Sequence, residues 1–571
     1  MATRGNGKPL ALVALLVLVS GIPQPSNGAD NNWWQHAIIY QVYPRSFKDS
    51  NADGVGDLNG ITSKLEHIKE LGATGLWLSP IYASPQVDFG YDVSNFTDID
   101  PIYGDFADFD RLVDKAHRLG LKLLLDLVPN HSSDRHEWFQ KSVNRIKPYD
   151  EYYVWRDGRI GPKGERLPPS NWLSVFGGPA WTWSDSRKQY YYHQFVPAQP
   201  DLNYRSPLLR REMERVMEFW LGRGVDGFRI DAIIHLFEDE RLRDEPRSFR
   251  PGVLADEYEY LEHPYTKDQN ETYGVVADWR ALMDRHGPGK YAIVEGSSMR
   301  YYDVGVDPFN FMFTTKLNND SRPADYVSEI RGWLDNMPRG RTANWVTGNH
   351  DTSRAGSRLG YNSNRSDQLS MLVAVLPGLM VIYNGDEIGM LDRAMSYKET
   401  VDPAGCRAGP QRYHIKSRDP ARTPYQWDAT TNAGFSTSSK TWLPVHENYK
   451  TLNLAAQRSP SSPATTHYKL FRRLSMLRKI SPQLSSGQVE VSASLDGRAL
   501  GVVRRLAHRR PIALIVNFAG VDLHLDLRTW MHLPDTMSLY AVSVKSGLKL
   551  GAMVDLKRNF TLPAAATVIF I

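Results

Sequence analysis

The chain has 571 residues, of which 41% are hydrophobic, and a formal net charge of +4. This length predicts two or three domains, or one large barrel with additions. The basic residues are scattered and cluster only in short groups, which argues against a nucleic-acid track and predicts no nucleic-acid partner. A single cysteine, Cys406, excludes an internal disulfide.

The first 28 residues have the composition of a secretory signal peptide. Arg4 and Lys8 precede an apolar run over residues 10–19, and small residues place a cleavage site before Ala29. The run is too short to span a bilayer, and no other stretch is long and apolar enough. The sequence therefore predicts a secreted, extracellular protein without a membrane span. The sequons that fit a secreted glycoprotein begin at Asn95, Asn270, Asn319, Asn364 and Asn559.

After residue 29, short apolar runs alternate with amphipathic helical patterns. The runs predict eight buried strands, at Ile38–Tyr43, Leu76–Leu78, Leu121–Val128, Val225–Ala232, Tyr291–Val294, Phe309–Phe313, Asn344–Thr347 and Leu379–Tyr383. Helices are predicted between them at Ile61–Leu71, Phe109–Leu119 and Leu208–Leu221. This alternation predicts an α/β fold, a parallel (β/α)8 barrel. An open doubly wound sheet is the alternative from the pattern alone.

Two segments depart from the alternation. Residues 131–200 are too long for a simple loop and are rich in Trp, Tyr, Pro and Gly, which predicts a small inserted domain after the third strand. From about residue 486, short alternating segments such as Ala513–Phe518 and Leu523–Leu527 predict a C-terminal antiparallel β domain. The predicted divisions are a signal peptide at 1–28, the barrel at 29–130 and 201–485, inserted domain B at 131–200 and the β domain at 486–571.

Ionisable residues follow four of the predicted strands. Arg229 and Asp231 lie two positions apart on one strand and therefore point the same way. Alone, such a pair is more often a structural ion pair than a reactive site. The carboxyl ends of barrel strands, however, converge on one mouth. The other strand-end residues are Asp126, His131, Glu295, His350 and Asp351.

Two carboxylates with different roles can cleave a glycosidic bond. One must be ionised to attack the anomeric carbon, and Arg229 beside Asp231 favours that state. The other must hold a proton near the leaving oxygen, and we expect burial between an apolar strand and Gly296 to favour protonated Glu295.

These strand-end segments resemble the four signature regions of the α-amylase family of glycoside hydrolases. The segments that carry the resemblance are Asp126–His131, Gly227–Asp231, Val294–Glu295 and Asn349–Asp351. Three more segments are similar to its α-glucosidase branch, and most of all to insect maltases: Ile39–Phe47, Gln199–Asn203 and Arg418–Trp427. The likeness runs from about Trp33 to the C-terminus.

The resemblance implies a retaining, exo-acting α-glucosidase. Such an enzyme releases terminal glucose from maltose, sucrose and short α-1,4 glucosides by double displacement. Asp231 matches the nucleophile, Glu295 the acid/base and Asp351 the third catalytic carboxylate. The small residue after the nucleophile, Ala232, goes with α-1,4 bonds in similar enzymes. The implied substrate-binding residues are Asp88, Tyr91, Asp126, His131, Arg229, His350 and Arg418, with Arg418 pairing with Asp88 to close the pocket.

Two segments depart from the family pattern. Gly296–Ser298 follows Glu295, where insect relatives often have Ala-Tyr-Thr. Asn384–Glu387 stands where a Tyr-Gly-Glu-Glu run or similar is usual. Neither departure removes a catalytic group, but both bear on the range of substrates.

A separate loop has the ligand spacing of a calcium site. It places the side chains of Asp49, Asn51, Asp53 and Asp57 and the carbonyl of Val55 like an EF-hand loop. Gly60 replaces the bidentate Glu of a complete hand, and a solvated acidic turn is the alternative. Since relatives bind Ca²⁺ here, we expect a structural ion far from the chemistry.

Two other functions remain open at this point. A transglycosylase would use the same residues with a sugar in place of water as acceptor. A binding or receptor protein on the same fold is the second, although ancillary relatives of that kind lack the three acids and carry a membrane span, whereas this chain has the acids.

Overall fold

The computed structural model describes residues 31–360 and 363–571; the predicted signal peptide lies outside them. Eight parallel strands form a nearly closed barrel, which confirms the predicted fold and excludes the open sheet. Its strands are Ile38–Val42, Gly75–Leu78, Lys122–Leu127, Gly227–Ile230, Tyr291–Val294, Asp307–Pro308, Asn344–Val346 and Leu379–Tyr383.

The helices that follow the barrel strands lie between them in the chain, except for the last four, which come after the eighth strand. In order they are Leu58–Ser63, Leu65–Glu70, Phe106–Arg118, Pro207–Gly222, Glu271–Arg285, Arg300–Asp303, Met312–Thr315, Pro323–Asn336, Ala355–Arg358, Ser363–Val375, Pro403–Lys416, Leu454–Arg458, His467–Ile480 and Pro482–Ser486. Three further short helices are Pro44–Phe47, directly after the first barrel strand, Glu137–Val143, in the segment after the third strand, and Leu527–Met531, among the C-terminal strands. Within residues 31–360 and 363–571, no helix is both long and apolar enough to cross a membrane.

Three predicted elements were wrong in detail. The helix predicted at Ile61–Leu71 is two helices, because Lys64 leaves helical geometry at φ −114° and ψ 6°. The sixth strand is Asp307–Pro308 rather than Phe309–Phe313, because the chain turns after Phe309 and enters the helix Met312–Thr315. The strand predicted at Leu523–Leu527 stops at Leu525, and the side chain of Asp526 then caps a short helix.

An aromatic-rich segment separates the third and fourth barrel strands. It contains a three-stranded antiparallel sheet whose order is Trp155–Arg156, Gln189–Tyr192, Trp181–Ser184. A two-stranded ribbon, Arg159–Ile160 with Arg166–Leu167, lies beside it in the chain. A further hairpin, Tyr82–Ala83 with Asn95–Ile99, follows the second barrel strand. The backbone of Leu202 donates to Asn130 O at 2.9 Å, so both ends of the inserted segment meet at the third strand.

The C-terminal residues form antiparallel sheets. The strands are Gln488–Ala493, Ala499–Arg505, Ile512–Asn517, Leu523–Leu525, Thr536–Val542, Met553–Asp555, Phe560–Leu562 and Thr567–Phe570. Buried Arg504 ties this domain to the barrel. Its Nη1 donates to Val375 O at 2.8 Å, a carbonyl that ends the helix Ser363–Val375. Arg478, on the barrel helix His467–Ile480, satisfies the Ala374 carbonyl at the same helix end at 3.0 Å.

The barrel closes through one side chain. Among the described residues, no backbone ladder joins the sixth strand to the seventh. Instead Asn344, on the seventh strand and fully buried, donates from Nδ2 to Pro308 O at 2.7 Å and accepts Asn310 N at 2.8 Å. An amide side chain thus reproduces the donor and acceptor of a strand residue across the gap.

We therefore expect Asn344→Leu to destabilise the barrel. The change leaves the Pro308 carbonyl and the Asn310 amide buried without partners, which costs roughly 2–4 kcal/mol. Urea unfolding followed by circular dichroism measures it. Asn144→Leu, at an exposed asparagine that bonds only the Gln140 carbonyl, is the control. Equal unfolding midpoints for the two variants would refute the role given to Asn344.

Candidate active site

One buried guanidinium, that of Arg229, links three of the predicted carboxylates. Arg229 Nη1 donates to Asp126 Oδ1 at 2.8 Å and also contacts Asp231. Its Nη2 donates to Glu295 Oε2 at 2.8 Å. The strand register explains this convergence, because Arg229 is the direct neighbour of Asp126 in the parallel ladder and Glu295 follows the next strand. The structure therefore brings these strand ends together.

Protonation of this set is governed by burial. Burial raises the pKa of Asp231 well above its usual range; Arg229 opposes the shift, while Glu295 and Asp126 reinforce it. Burial likewise raises the pKa of Asp126 to about 6, against Arg229. One guanidinium thus does not offset the effect of burial on Asp126 and Asp231, and the pKa values of both are raised.

Glu295 is less buried than the sequence predicted. The side chain of Glu295 is 32% exposed, against 10% for Asp231 and none for Asp126. Gly296 does not enclose Glu295, which lies at the open side of the cavity. The position of Glu295 comes from two hydrogen bonds, since its Oε2 accepts from Arg229 and from Ala232 N at 3.1 Å.

Asp351 lies in the opposite electrostatic environment. Its Oδ1 accepts from Arg418 Nη1 at 3.1 Å and from Arg422 Nη2 at 2.9 Å. Burial by itself raises the pKa of Asp351, but His350, Arg418 and Arg422 together hold it well below its usual range. Because burial also lowers the pKa of His350 far below 6.5, that ring is neutral near pH 7. The two arginines are therefore what keeps Asp351 ionised.

Arg418 also joins Asp351 to the loop that carries Asp88 and Tyr91, two of the predicted substrate-binding residues. Its Nη2 donates to Asp88 Oδ1 at 2.7 Å, and its Nε to Asp402 Oδ1 at 3.1 Å. The sequence predicted the contact with Asp88. Within the loop, the amides of Val87 and Asp88 donate to Asp92 at 2.9 Å and hold the turn in shape.

The two predicted histidines are buried, neutral and oriented. Burial lowers the pKa of His131 to about 4, and its Nε2 donates to Tyr91 O at 3.0 Å. His350 accepts at Nδ1 from Gln41 Nε2 at 2.8 Å, which leaves the proton on Nε2, 3.3 Å from Asp351. The ring of His350 lies between those of Tyr43 and Tyr91, at 5.4 and 5.2 Å.

These groups surround a cavity of about 270 Å³. It is lined by Asp88, Tyr91, His131, Phe176, Phe195, Gln199, Asp231, Ala232, Glu295, His350, Asp351 and Arg418, among others. Two predicted substrate-binding residues, Asp126 and Arg229, lie beneath the lining with side chains at most 2% exposed. They orient the reactive carboxylates rather than face the cavity.

Sequence reasoning gave no role to several residues of the site. Arg422 lies four positions after Arg418 in a segment already noted, so a second arginine at that spacing was a usable signal. Phe176 and Phe195 come from the inserted segment, and Arg418 lies over the Phe176 ring at 4.9 Å. Asp402 has no pattern in the sequence that distinguishes it. Glu387 belongs to Asn384–Glu387, one of the two segments that depart from the family pattern. It is fully buried and accepts hydrogen bonds from the hydroxyls of Tyr40 and Tyr425, so it anchors the end of the eighth strand.

Comparison with known proteins agrees with this geometry. Residues 41–487 match the family model described as the alpha-amylase catalytic domain. The chain belongs to the α-amylase family. Maltase 1 of Drosophila virilis is 46% identical over 92% of this chain and 84% of its own length. Salivary alpha-glucosidase of Aedes aegypti is 44% identical over 90% of each chain.

A solved structure is similar over nearly the whole molecule. The alpha-glucosyl transfer enzyme XgtA superposes with a TM-score of 0.82 at 34% identity, covering 94% of this chain and 99% of that one. The fold is thus that of an α-amylase family glycoside hydrolase. The protein is an enzyme, and the alternative of a binding protein on the same fold is not supported.

The predicted calcium loop is built differently from the catalytic centre. Asp49 accepts backbone amides of Asn51, Ala52 and Gly54, and Asp57 accepts those of Ser50 and Gly60. In the described part of the chain, no three His, Cys, Asp or Glu side chains are grouped so that they could hold a metal. The aspartates of this loop therefore shape turns in the conformation seen here.

The charge set around Arg229 predicts a specific pH dependence. The nucleophile predicted from the sequence is Asp231, and a nucleophilic carboxyl must be ionised, so kcat/KM should fall as the pH drops through its raised pKa. Asp126→Asn removes a neighbouring negative charge, which lowers the pKa of Asp231 and should move the acid limb to lower pH. Asp307→Asn, at a buried carboxyl outside the cavity, should leave the limb in place. An acid limb that does not move in Asp126→Asn would contradict the shared charge set.

Proposed function

We propose that this enzyme is a retaining, exo-acting α-glucosidase that releases terminal glucose from maltose, sucrose and short α-1,4 glucosides. The observation that carries the proposal is the pair Asp231 and Glu295, held on adjacent nitrogens of one guanidinium at the wall of a small cavity. Such closely spaced carboxyl groups are typical of retaining enzymes, which need no room for a water between them.

The proposed first step divides the work between these carboxyl groups. Asp231 attacks the anomeric carbon while Glu295 gives its proton to the leaving oxygen, which produces a glucosyl ester on Asp231 and a free alcohol. Glu295, now ionised, takes a proton from water, and that water hydrolyses the ester and releases glucose. Glu295 suits the exchange with leaving group and water because it is the most exposed carboxyl of the three.

The remaining wall residues would bind the glucose itself. Asp88 and ionised Asp351 accept hydrogen bonds from sugar hydroxyls, and the neutral rings of His131 and His350 line the same wall. Tyr91 offers the face not covered by His350. A cavity of about 270 Å³, with the Arg418–Asp88 pair in its wall, supports removal of one terminal unit at a time.

Hydrolysis is favoured over glucosyl transfer. The maltase relative is 46% identical to this chain, whereas the alpha-glucosyl transfer enzyme is 34% identical. Both reactions would use the same ester on Asp231, so they differ in the acceptor alone.

Product analysis tests this proposal. Purified enzyme should release glucose from maltose and sucrose faster than from isomaltose, with the α-anomer formed first. Asp231→Asn should reduce kcat by roughly 10⁴-fold or more, because the ester can no longer form. Asn448→Asp, an amide-to-acid change at a site away from the cavity, serves as a handling control. Full activity of Asp231→Asn would overturn the mechanism.

We further propose that the enzyme is secreted and glycosylated. Support comes from the composition of residues 1–28, from the salivary relative of Aedes aegypti and from the exposure of four sequon asparagines, Asn95, Asn270, Asn319 and Asn559. The side chain of the fifth, Asn364, lies outside those described. Sequencing of the mature N-terminus and enzymatic deglycosylation measure both properties.

A structural Ca²⁺ in the loop of residues 49–57 is also proposed, on the support of ligand spacing. Asn51 and Asp53 have exposed side chains that bond each other and lie in the same loop as Asp49. Calcium should raise the melting temperature of the enzyme after chelation, and Asp53→Ala should abolish that increase. Glycosidase rates at 25 °C should not change with calcium. A melting temperature that is the same with calcium and with chelator would exclude the site.

A further inference from the structure

Asp402 is a buried carboxylate that lies outside the catalytic cavity. Its side chain is 0% exposed, and it does not line the space that holds Asp231. It precedes the helix Pro403–Lys416, and an aspartate at that position usually accepts an amide of the first helical turn. The side chain of Asp402 makes no such capping bond. Helix capping therefore does not account for a buried carboxylate here.

The contacts of Asp402 are with Arg418. Its Oδ2 accepts the backbone N–H of Arg418 at 2.7 Å, and its Oδ1 accepts Nε at 3.1 Å and Nη2 at 2.6 Å. Among the described residues, the carboxylate accepts from no other residue. Two nitrogens on one edge of the guanidinium thus contact one carboxylate, which fixes the plane of the guanidinium as well as its position.

The edge held by Asp402 determines where the other donors of Arg418 point. Nη2 has a second N–H, which donates to Asp88 at 2.7 Å, and Nη1 donates to Asp351 at 3.1 Å. Asp88 and Asp351 both line the cavity, whereas Asp402 does not. A rotation of the guanidinium away from Asp402 would therefore change both contacts at the cavity wall at the same time.

Asp402 is itself held in place by the residue that follows Arg418. Asp419 Oδ2 accepts the backbone N–H of Val401 at 2.8 Å and that of Asp402 at 3.0 Å. The carbonyl of Asp402 accepts Cys406 N at 2.9 Å in the first turn of the helix. The backbone is thus fixed on both sides, and a fully buried carboxylate has no solvent into which to turn. Asp402 is therefore a rigid acceptor for Arg418.

A turn at Gly409 brings Asp402 and Arg418 together. The two residues flank the 14 residues of Pro403–Lys416, which as a straight helix would be about 21 Å long. Instead the segment bends at Gly409, whose φ of 73° and ψ of 175° are not helical. That positive φ favours glycine, and a Cβ added there meets no heavy atom within 4 Å, so the backbone angle rather than space requires the residue.

We propose that Asp402 is a positioning residue that holds Arg418 where it binds Asp88 and Asp351 together. Asp402 does not touch the substrate. It acts through Arg418 on two carboxylates that are proposed to bind the terminal glucose. This inference rests on the proposed glucosidase function and adds a residue outside the cavity on which glucose binding depends.

A double-mutant cycle on maltose hydrolysis separates positioning from a general structural role. Asp402→Asn keeps the size of the side chain but removes the charge that holds the guanidinium edge. In the otherwise wild-type enzyme it should lower kcat/KM by roughly tenfold or more, as expected for the loss of a charged hydrogen bond. In an Arg418→Met background, which has no guanidinium to position, the same change should lower kcat/KM by less than about twofold.

Asp307→Asn is the matched control. Asp307 is also a buried carboxyl, but it bonds the Tyr291 hydroxyl and lies outside the cavity. Its loss should leave kcat/KM within about twofold of the wild type, even where the melting temperature falls. Should Asp402→Asn not fold, Asp402→Glu replaces it, because it keeps the charge but displaces the acceptor by one methylene. That variant should show the same dependence on Arg418.

The outcomes separate this inference from the proposed function. If the wild type hydrolyses maltose and the folded Asp402 variant keeps the wild-type kcat/KM, the positioning role is wrong while the glucosidase function stands. The same conclusion follows if the Asp402 variant loses an equal factor with and without Arg418, since the effect is then structural. A wild type that does not hydrolyse maltose would overturn the proposed function itself.

Discussion

The site depends on Arg229 and the carboxylates that surround it. A guanidinium with a side chain 2% exposed is costly to take out of water unless anions compensate it. Asp126, Asp231 and Glu295 do so, and each follows or belongs to a different strand of the barrel. The same contacts that neutralise the arginine therefore fix the relative positions of three strand ends.

The pair Arg418 and Arg422 gives Asp351 a different electrostatic environment from that of the carboxylates around Arg229. Around Arg229 one cation faces three anions, and the pKa of Asp231 is raised, chiefly by burial. Asp351 instead faces Arg418 and Arg422, and its pKa is lowered despite burial. The pKa values of two carboxylates in one cavity are thus shifted in opposite directions, because the balance between burial and nearby cations differs between them.

Much of this arrangement could be read from the sequence, and the exceptions have physical causes. Strand ends at Asp126, Asp231 and Glu295 were predictable because apolar runs end at charged residues in a regular order. The sixth strand was not, since only two residues pair and the side chain of Asn344 replaces the missing ladder. The exposure of Glu295 was also beyond the pattern, because Glu295 lines a second cavity of about 670 Å³ whose other walls include the distant helix Pro323–Asn336.

Ala232 shows how backbone geometry joins the nucleophile to the acid. It adopts a left-handed conformation with φ 46°, which costs a non-glycine residue roughly 1–2 kcal/mol. That turn directs its N–H to Glu295 Oε2 at 3.1 Å, immediately after Asp231. The position of the acid is thus linked through one peptide unit to that of the nucleophile. A β-branched residue would be more strained there than alanine, so substitution at this position acts on both carboxyl groups at once.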